Sequence, residues 1–242
     1  MIDLPAPVAE LCTGLGAIGG VEAVAMGGSR ATGLADAASD WDIGVYYRGH
    51  PDFTPLTRLG TLHPPGSWGR IMNGGPWLSL DGLKVDVLLR DLDVAEHWSA
   101  RAREGQYEVD ALLGYVAGVP TYSLTAEPAI NRVVAGTLPR IAEFPPALAR
   151  TGAERWRRHA EFSLAHARMR AERGDVVGTV AQGAKAVVEA AHAVVCGRRE
   201  WVLNEKGLVE RAGLRELHAQ FTHIPPAAAG LVEWVDALGG QI

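Results

Sequence analysis

Apolar and polar positions follow two different rhythms along this chain. In the first half, short apolar runs are broken by turn residues. Ala6 to Leu15 has helical spacing, and Val21 to Met26 is an apolar run that ends in Gly27-Gly28, as a buried strand would. Trp41 to Tyr47 is rich in β-branched and aromatic residues and predicts a second strand. Trp77 to Leu80, then Asp81-Gly82, then Leu83 to Leu89 predicts a β-hairpin, because Asp-Gly supplies the positive φ angles of a tight turn. Asp91 is placed to cap a helix running to about Glu104.

The period changes from about Ala126. Val176, Val180, Ala184, Val187, Ala191 and Val194 recur at helical spacing up to Gly197, a natural C-cap. Glu154 to Arg173 predicts another helix, with Trp156, Ala160, Leu164 and Ala167 on one stripe and Phe162, Ala165 and Met169 on a second. A helix apolar on two sides belongs in a bundle. Gly207 to Ala212 and Ala227 to Leu238 add shorter helices, and Pro120, Pro128 and Phe144-Pro145-Pro146 are candidate linkers. The expected fold is therefore α+β. A small mixed β-sheet core occupies residues 1–125, and a C-terminal helical bundle occupies 126–242.

Composition adds little to this, but charge does. The chain of 242 residues is 48% hydrophobic and 21% charged, ordinary for a globular protein. Ala184 to Cys196, its longest mainly apolar stretch, contains Lys185, Glu189 and His192 and is too short to span a bilayer. The first residues show no basic region and no apolar core, so no secretion signal is expected. Cys12 and Cys196 have no partner at metal-ligand spacing and read as buried thiols of a cytoplasmic protein. Net charge is -5, with three lysines, Lys84, Lys185 and Lys206, which argues against a nucleic-acid binder. Residues 1–125 hold 15 acids and 8 bases, whereas 126–242 are near neutral, so the first region gathers carboxylates as a metal site would.

The candidate chemistry lies in that region. Gly27-Gly28-Ser29-Arg30 follows the first strand, and Ser39-Asp40-Trp41-Asp42 opens the second. Gly28 lets the backbone turn sharply and approach a ligand; Ser29 adds a hydroxyl and Arg30 a planar cation suited to phosphate. Asp40 and Asp42 are two apart on a strand and share a face, where they repel unless a cation lies between them. Hard divalent cations such as Mg²⁺ favour such all-oxygen surroundings. Asp86 sits inside the apolar run Val85 to Leu89 and needs a partner there, which a shared metal would supply. Ser39 is read as turning its loop rather than touching substrate. Gly14 to Gly19 matches G-x-G-x-x-G, but a helix precedes it and a strand follows, the reverse of a dinucleotide site.

Gly28-Ser29, then Asp40-x-Asp42, then Asp86 on a later strand resembles the signature of the DNA polymerase beta nucleotidyltransferase superfamily. The motif covers residues 21–90. The helical remainder looks like the C-terminal bundle of aminoglycoside and lincosamide nucleotidyltransferases. The resemblance implies a nucleotidyltransferase core, with Asp40, Asp42 and Asp86 catalytic and holding two Mg²⁺ ions. Gly28, Ser29 and Arg30 would bind the NTP, expected to be ATP. An acceptor hydroxyl would attack the α-phosphorus and pyrophosphate would leave. Lys185, the one lysine in its apolar helix, is expected to reach the triphosphate, against the alternative of a pair with Glu189 four residues on. Glu108, Asp110 and Glu189 are outside candidates for a general base beside Asp86. The expected acceptor is a small molecule, such as an antibiotic, bound in a cleft between the sheet and the helical region. The competing reading is a protein- or RNA-modifying nucleotidyltransferase of a regulatory or toxin–antitoxin system.

Overall fold

The computed structural model describes residues 2–33, 35–36, 39–139 and 143–242. It divides into two compact units. One comprises Met1–Ala100 and Leu124–Glu143, the other Arg101–Ser123 and Phe144–Ile242. A single cut at residue 125 falls inside a helix, Ser123–Ile130, because the chain passes between the units more than once.

The first unit is built on a six-stranded sheet. In chain order its elements are α1 (Ala6–Gly16), β1 (Val21–Met26), α2 (Gly28–Thr32), β2 (Trp41–Tyr47), β3 (Gly60–His63), α3 (Gly69–Met72), β4 (Gly75–Leu80), β5 (Leu83–Asp91) and α4 (Leu92–Arg103), whose last turn enters the second unit. After β6 (Val109–Asp110) and β7 (Val119–Pro120) of the second unit, α5 (Ser123–Ile130) and β8 (Arg132–Gly136) return to the sheet. The strand order is β3-β4-β5-β2-β1-β8, antiparallel throughout except for the parallel pair β2 and β5, so the sheet is mixed as expected. Asp81 and Gly82 adopt φ of 48° and 84° between β4 and β5, the two positive angles the hairpin requires. Asp91 Oδ1 accepts from the Asp93 and Val94 backbone N–H groups, 2.9 and 3.4 Å away, and caps α4.

Alternation sorts the strand residues onto two faces. Val24, Met26, Ile43, Val45, Val85, Val87 and Leu89 form one continuous core with Val8, Leu11, Cys12 and Leu15 of α1. The opposite face carries Ala23, Ala25 and Tyr46, packed with Leu92 and Leu138. Asp42 and Asp86 belong to this second face, toward one end of their strands.

The short elements α2, β3, α3, α5 and β8 of the sheet unit were not expected. β8 lies in the region whose sequence reads as helical, and pairs with β1 from Ala23 to Met26. α5 forms although it contains Pro128, which cannot donate to Leu124. Glu127 beside it takes a bidentate ion pair from the buried Arg90 at 2.7 and 2.7 Å, which ties α5 to β5.

The second unit holds α6 (Pro146–Ala171), α7 (Val176–Gly197), α8 (Leu208–Arg211) and α9 (Ala228–Gly239), besides the small β6–β7 ribbon. Asp175 caps α7 by accepting from Gly178 N–H at 2.9 Å. The left-handed residue beyond α7 is Arg199, with φ of 61°, rather than Gly197, which stays inside the helix. α6 is longer than its periodicity suggested because it starts at Pro146, the last residue of the Pro-rich segment, where proline suits the first helical position. Its first stripe is the buried one. Phe162 and Met169, read as a second stripe, are exposed, so α6 packs on one side only. Among the described residues, no helix is long and apolar enough to cross a membrane.

Candidate active site

The turn after β1 is closed by the strand beside it. Gly27 is extended and its N–H donates to Asp42 O at 2.8 Å. Gly28 then takes φ of 61° and begins α2, and Gly33, at φ 77°, ends it. A Cβ on Gly28 would lie 1.8 Å from Asp42 Oδ2. The Asp42 carboxylate therefore rests directly on the Cα of Gly28, and glycine is required both for the backbone angle and for this approach. Ser29 follows, half-buried.

Asp42 and Asp86 are Cα partners in the parallel ladder of β2 and β5. Paired residues on neighbouring strands face the same way at the strand spacing of about 4.8 Å. The structure thus sets these two carboxylates side by side, both half-buried, with the Gly28 turn against one of them. Asp40 precedes β2 at its entrance. Among the described residues, no three His, Cys, Asp or Glu side chains converge closely enough to hold a metal ion by themselves. What is assembled is a neighbouring pair with a third carboxylate upstream. Such a set fits Mg²⁺ in company with a nucleotide, because Mg²⁺ is ordinarily held by one or two carboxylates plus substrate phosphates rather than by an all-protein cage.

Arg30 has a local occupation. Its Nη2 donates to Ser39 O at 2.5 Å and its Nε to Asp40 O at 3.2 Å, and the guanidinium lies 4.1 Å from the Trp41 ring centroid. It clamps the segment that delivers Asp40 to the end of β2. Ser39 Oγ accepts from Asp36 N–H and donates to Asp36 Oδ1, both at 2.9 Å, so this hydroxyl shapes the loop. Lys185, on α7 of the other unit, stands 3.7 Å from Glu189 Oε1, the i,i+4 pair that its sequence offered as the alternative role. Glu189 is buried, accepts from Ser163 Oγ at 2.6 Å, and has its pKa raised by desolvation. Glu108 and Asp110 lie at the β6 end of the β6–β7 ribbon, in that same unit.

Three features near the carboxylates carry no sequence motif. Lys84 is exposed on the same face of β5, two residues before Asp86. Trp77 of β4 is the Cα partner of Asp86 on the side away from Asp42. Asn131 is buried with its carboxamide against Gly27: Nδ2 donates to the Tyr46 hydroxyl at 2.9 Å, and Oδ1 has no partner among the described residues. Register across the sheet reveals Trp77, and the return of the chain through α5 places Asn131; neither is written in local periodicity.

The Gly28 contact gives a direct test. Gly28→Ala is expected to cost about 1–2 kcal/mol for a non-glycine residue at positive φ and to push the Asp42 carboxylate aside. Thermal unfolding should fall by a few degrees while catalytic rate falls by more than tenfold. Wild-type turnover in this variant would show that the position of Asp42 does not matter.

The nucleotidyltransferase-domain family model matches residues 9–110, the span from α1 to the end of β6. A search of curated protein sequences gives no match. Among solved structures, an aminoglycoside 6-adenyltransferase from Bacillus subtilis aligns with a TM-score of 0.31 at 9% identity, over 97% of this chain and 89% of that one.

Proposed function

We propose, from the match of residues 9–110 to a nucleotidyltransferase domain, that this chain is an enzyme that moves a nucleoside monophosphate from a Mg²⁺–NTP onto a hydroxyl of a small molecule. The observation that carries this reading is the register pairing of Asp42 with Asp86 beside the Gly28–Ser29 turn. Asp42, Asp86 and Asp40 would hold the divalent cations, which supply charge neutralisation for the entering and leaving oxygens. Backbone N–H groups at Gly28 and Ser29 and the Ser29 hydroxyl face the β- and γ-phosphates. Arg30 keeps Asp40 in place through the Ser39 and Asp40 carbonyls. Asp86, on the side away from the turn, takes the proton of the acceptor hydroxyl. The acceptor oxygen bonds to the α-phosphorus, the bond from that phosphorus to the bridging oxygen breaks, and pyrophosphate leaves with the electron pair.

A small acceptor is supported by the charge of the chain. An excess of acids over bases in residues 1–125 disfavours binding of a polyanionic nucleic acid. Hydroxylated antibiotics are the first acceptors to try. The test is incubation with Mg²⁺, labelled NTPs and an acceptor library. One acceptor should gain the mass of a nucleoside monophosphate, with one pyrophosphate released per transfer. Label found only on protein would favour a protein-modifying enzyme, and no label with any NTP would remove the assignment.

A further inference from the structure

Behind the carboxylates, the same face of the sheet carries a buried chain of polar contacts. Asp42, Gly44 and Tyr46 alternate onto one face of β2, opposite Asp86, Leu88 and Arg90 of β5. Gly44 leaves room for the Tyr46 ring to lean along the strand toward Asp42. A Cβ on Gly44 would meet Tyr46 Cε2 at 2.9 Å and the hydroxyl at 3.2 Å. That hydroxyl accepts from Asn131 Nδ2 at 2.9 Å. Asn131 follows α5 and its N–H donates to Glu127 O at 2.8 Å, so the residue that Arg90 holds also fixes Asn131. Arg132, the next residue, pairs with Met26, which brings the Asn131 carboxamide to Gly27. A Cβ on Gly27 would lie 3.0 Å from Asn131 Oδ1, 3.2 Å from Nδ2 and 3.3 Å from Cγ. Asn131 is buried, and its Oδ1 has no hydrogen-bond partner among the described residues. A buried carbonyl oxygen without a donor costs free energy, and an apolar side chain would fill this space without that cost. Gly27 is extended, with φ of -114° and ψ of -158°, a conformation that alanine also adopts. Its lack of a side chain is thus required by Asn131 and not by the backbone.

We propose that Asn131 is a positioning residue for nucleotidyl transfer: held by the Tyr46 hydroxyl, its carboxamide seats against Gly27 and sets the angle at which the Gly28–Ser29 turn meets the triphosphate. The proposal rests on the nucleotidyl-transfer reading. A carboxamide is planar, and a hydrogen bond at one end fixes its plane. Gly27 is also pinned through its own N–H, which donates to Asp42 O at 2.8 Å. The backbone leading into Gly28 is therefore held twice, and loses the freedom that a pair of glycines otherwise has. N–H groups fixed beforehand bind an anion without an ordering cost at the moment of binding. A loosened Gly27 brings that cost back as a weaker grip on the triphosphate.

Equilibrium dialysis tests this without an acceptor. Labelled ATP, GTP, CTP and UTP, each with Mg²⁺, identify the nucleotide that wild type holds best. Four variants are then compared with wild type for that nucleotide: Gly27→Ala, Asn131→Ala, the double variant Gly27→Ala/Asn131→Ala, and Tyr46→Phe. Gly27→Ala should raise Kd about fivefold, because its Cβ crowds the carboxamide and displaces the turn. Asn131→Ala should also raise it about fivefold, by leaving the turn unsupported. The double variant should bind no worse than either single one, since the space that the carboxamide leaves takes the new methyl group. Independent effects would instead multiply to about twenty-fivefold, which a merely structural role for Asn131 predicts. Tyr46→Phe removes one oxygen, keeps the ring over Gly44, and should raise Kd about threefold; it decides the matter if the other variants do not fold. A double variant about twenty-fivefold weaker than wild type, or Tyr46→Phe at the wild-type Kd, overturns the proposal and leaves the nucleotidyl-transfer reading standing. Failure of wild type to bind any of the four nucleotides with Mg²⁺ removes that reading, and the proposal with it.

Discussion

Asp42→Asn should lower kcat/KM for Mg²⁺–NTP by about a hundredfold or more, close to 3 kcal/mol of transition-state stabilisation, and leave the fold intact. The substitution keeps the shape of the side chain that rests on Gly28. It removes one negative charge from a pair of carboxylates set side by side by the ladder of β2 and β5. Like charges directly opposite one another weaken a sheet, so the melting temperature without nucleotide should stay level or rise slightly. The two measurements together are diagnostic. A variant that is inactive and as stable as wild type places Asp42 in the chemistry rather than in the scaffold. Wild-type turnover with Mg²⁺ would remove Asp42, and with it the register argument, from the site.

Much of this site is legible in the sequence because its parts are local. Gly27-Gly28 ending an apolar run, and Asp40-x-Asp42 opening the next, each specify their own backbone. Asp86 stands out as an acid in an apolar strand. Their meeting is not local. β2 and β5 are parallel neighbours separated by β3, α3 and β4, and only the completed sheet sets Asp42 opposite Asp86. Trp77 becomes a neighbour of the carboxylates by the same register, which no periodicity foretells. β8 and α5 escaped because each is short and stabilised from elsewhere. β8 gains its hydrogen bonds from β1, and α5 keeps a helical course around Pro128 because Glu127 is held by Arg90. Arg30 has local contacts that its position in the sequence does not announce. A cation next to a Gly-Ser turn suggests phosphate, and its guanidinium also meets two carbonyls and an indole.

Acid should weaken the helical unit through His192. This side chain of α7 is 1% exposed and lies face to face with Trp156 of α6, centroids 4.3 Å apart and planes at 12°. Neither ring nitrogen has a hydrogen-bond partner among the described residues. Burial, with a smaller contribution from the Arg211 charge, pushes its pKa from 6.5 down to about 3. The folded state therefore keeps His192 neutral where the unfolded chain protonates it. The stability linked to this group is present above pH 6.5 and is lost as pH falls from there toward 3, at about 1.4 kcal/mol per pH unit. At pH 5 the loss is about 2 kcal/mol, enough to lower a melting temperature by about 4–8 °C. Glu189, three residues earlier on α7, acts with the opposite sign. Desolvation raises its pKa, so acidification through the carboxylate range favours the folded state through this group. Its pairing with Lys185 and Ser163 moderates that rise without reversing it. His159, on α6 beside Trp156, also has a lowered pKa, but it is less buried, so His192 dominates the interval between pH 6.5 and 5. His192→Phe retains a ring against Trp156 and cannot titrate. Chemical unfolding followed by tryptophan fluorescence at pH 7.5 and 5.0 should show wild type losing markedly more stability than this variant. Parallel losses in the two proteins would mean that His192 finds a proton partner in solution, and that the acid response comes from surface carboxylates instead.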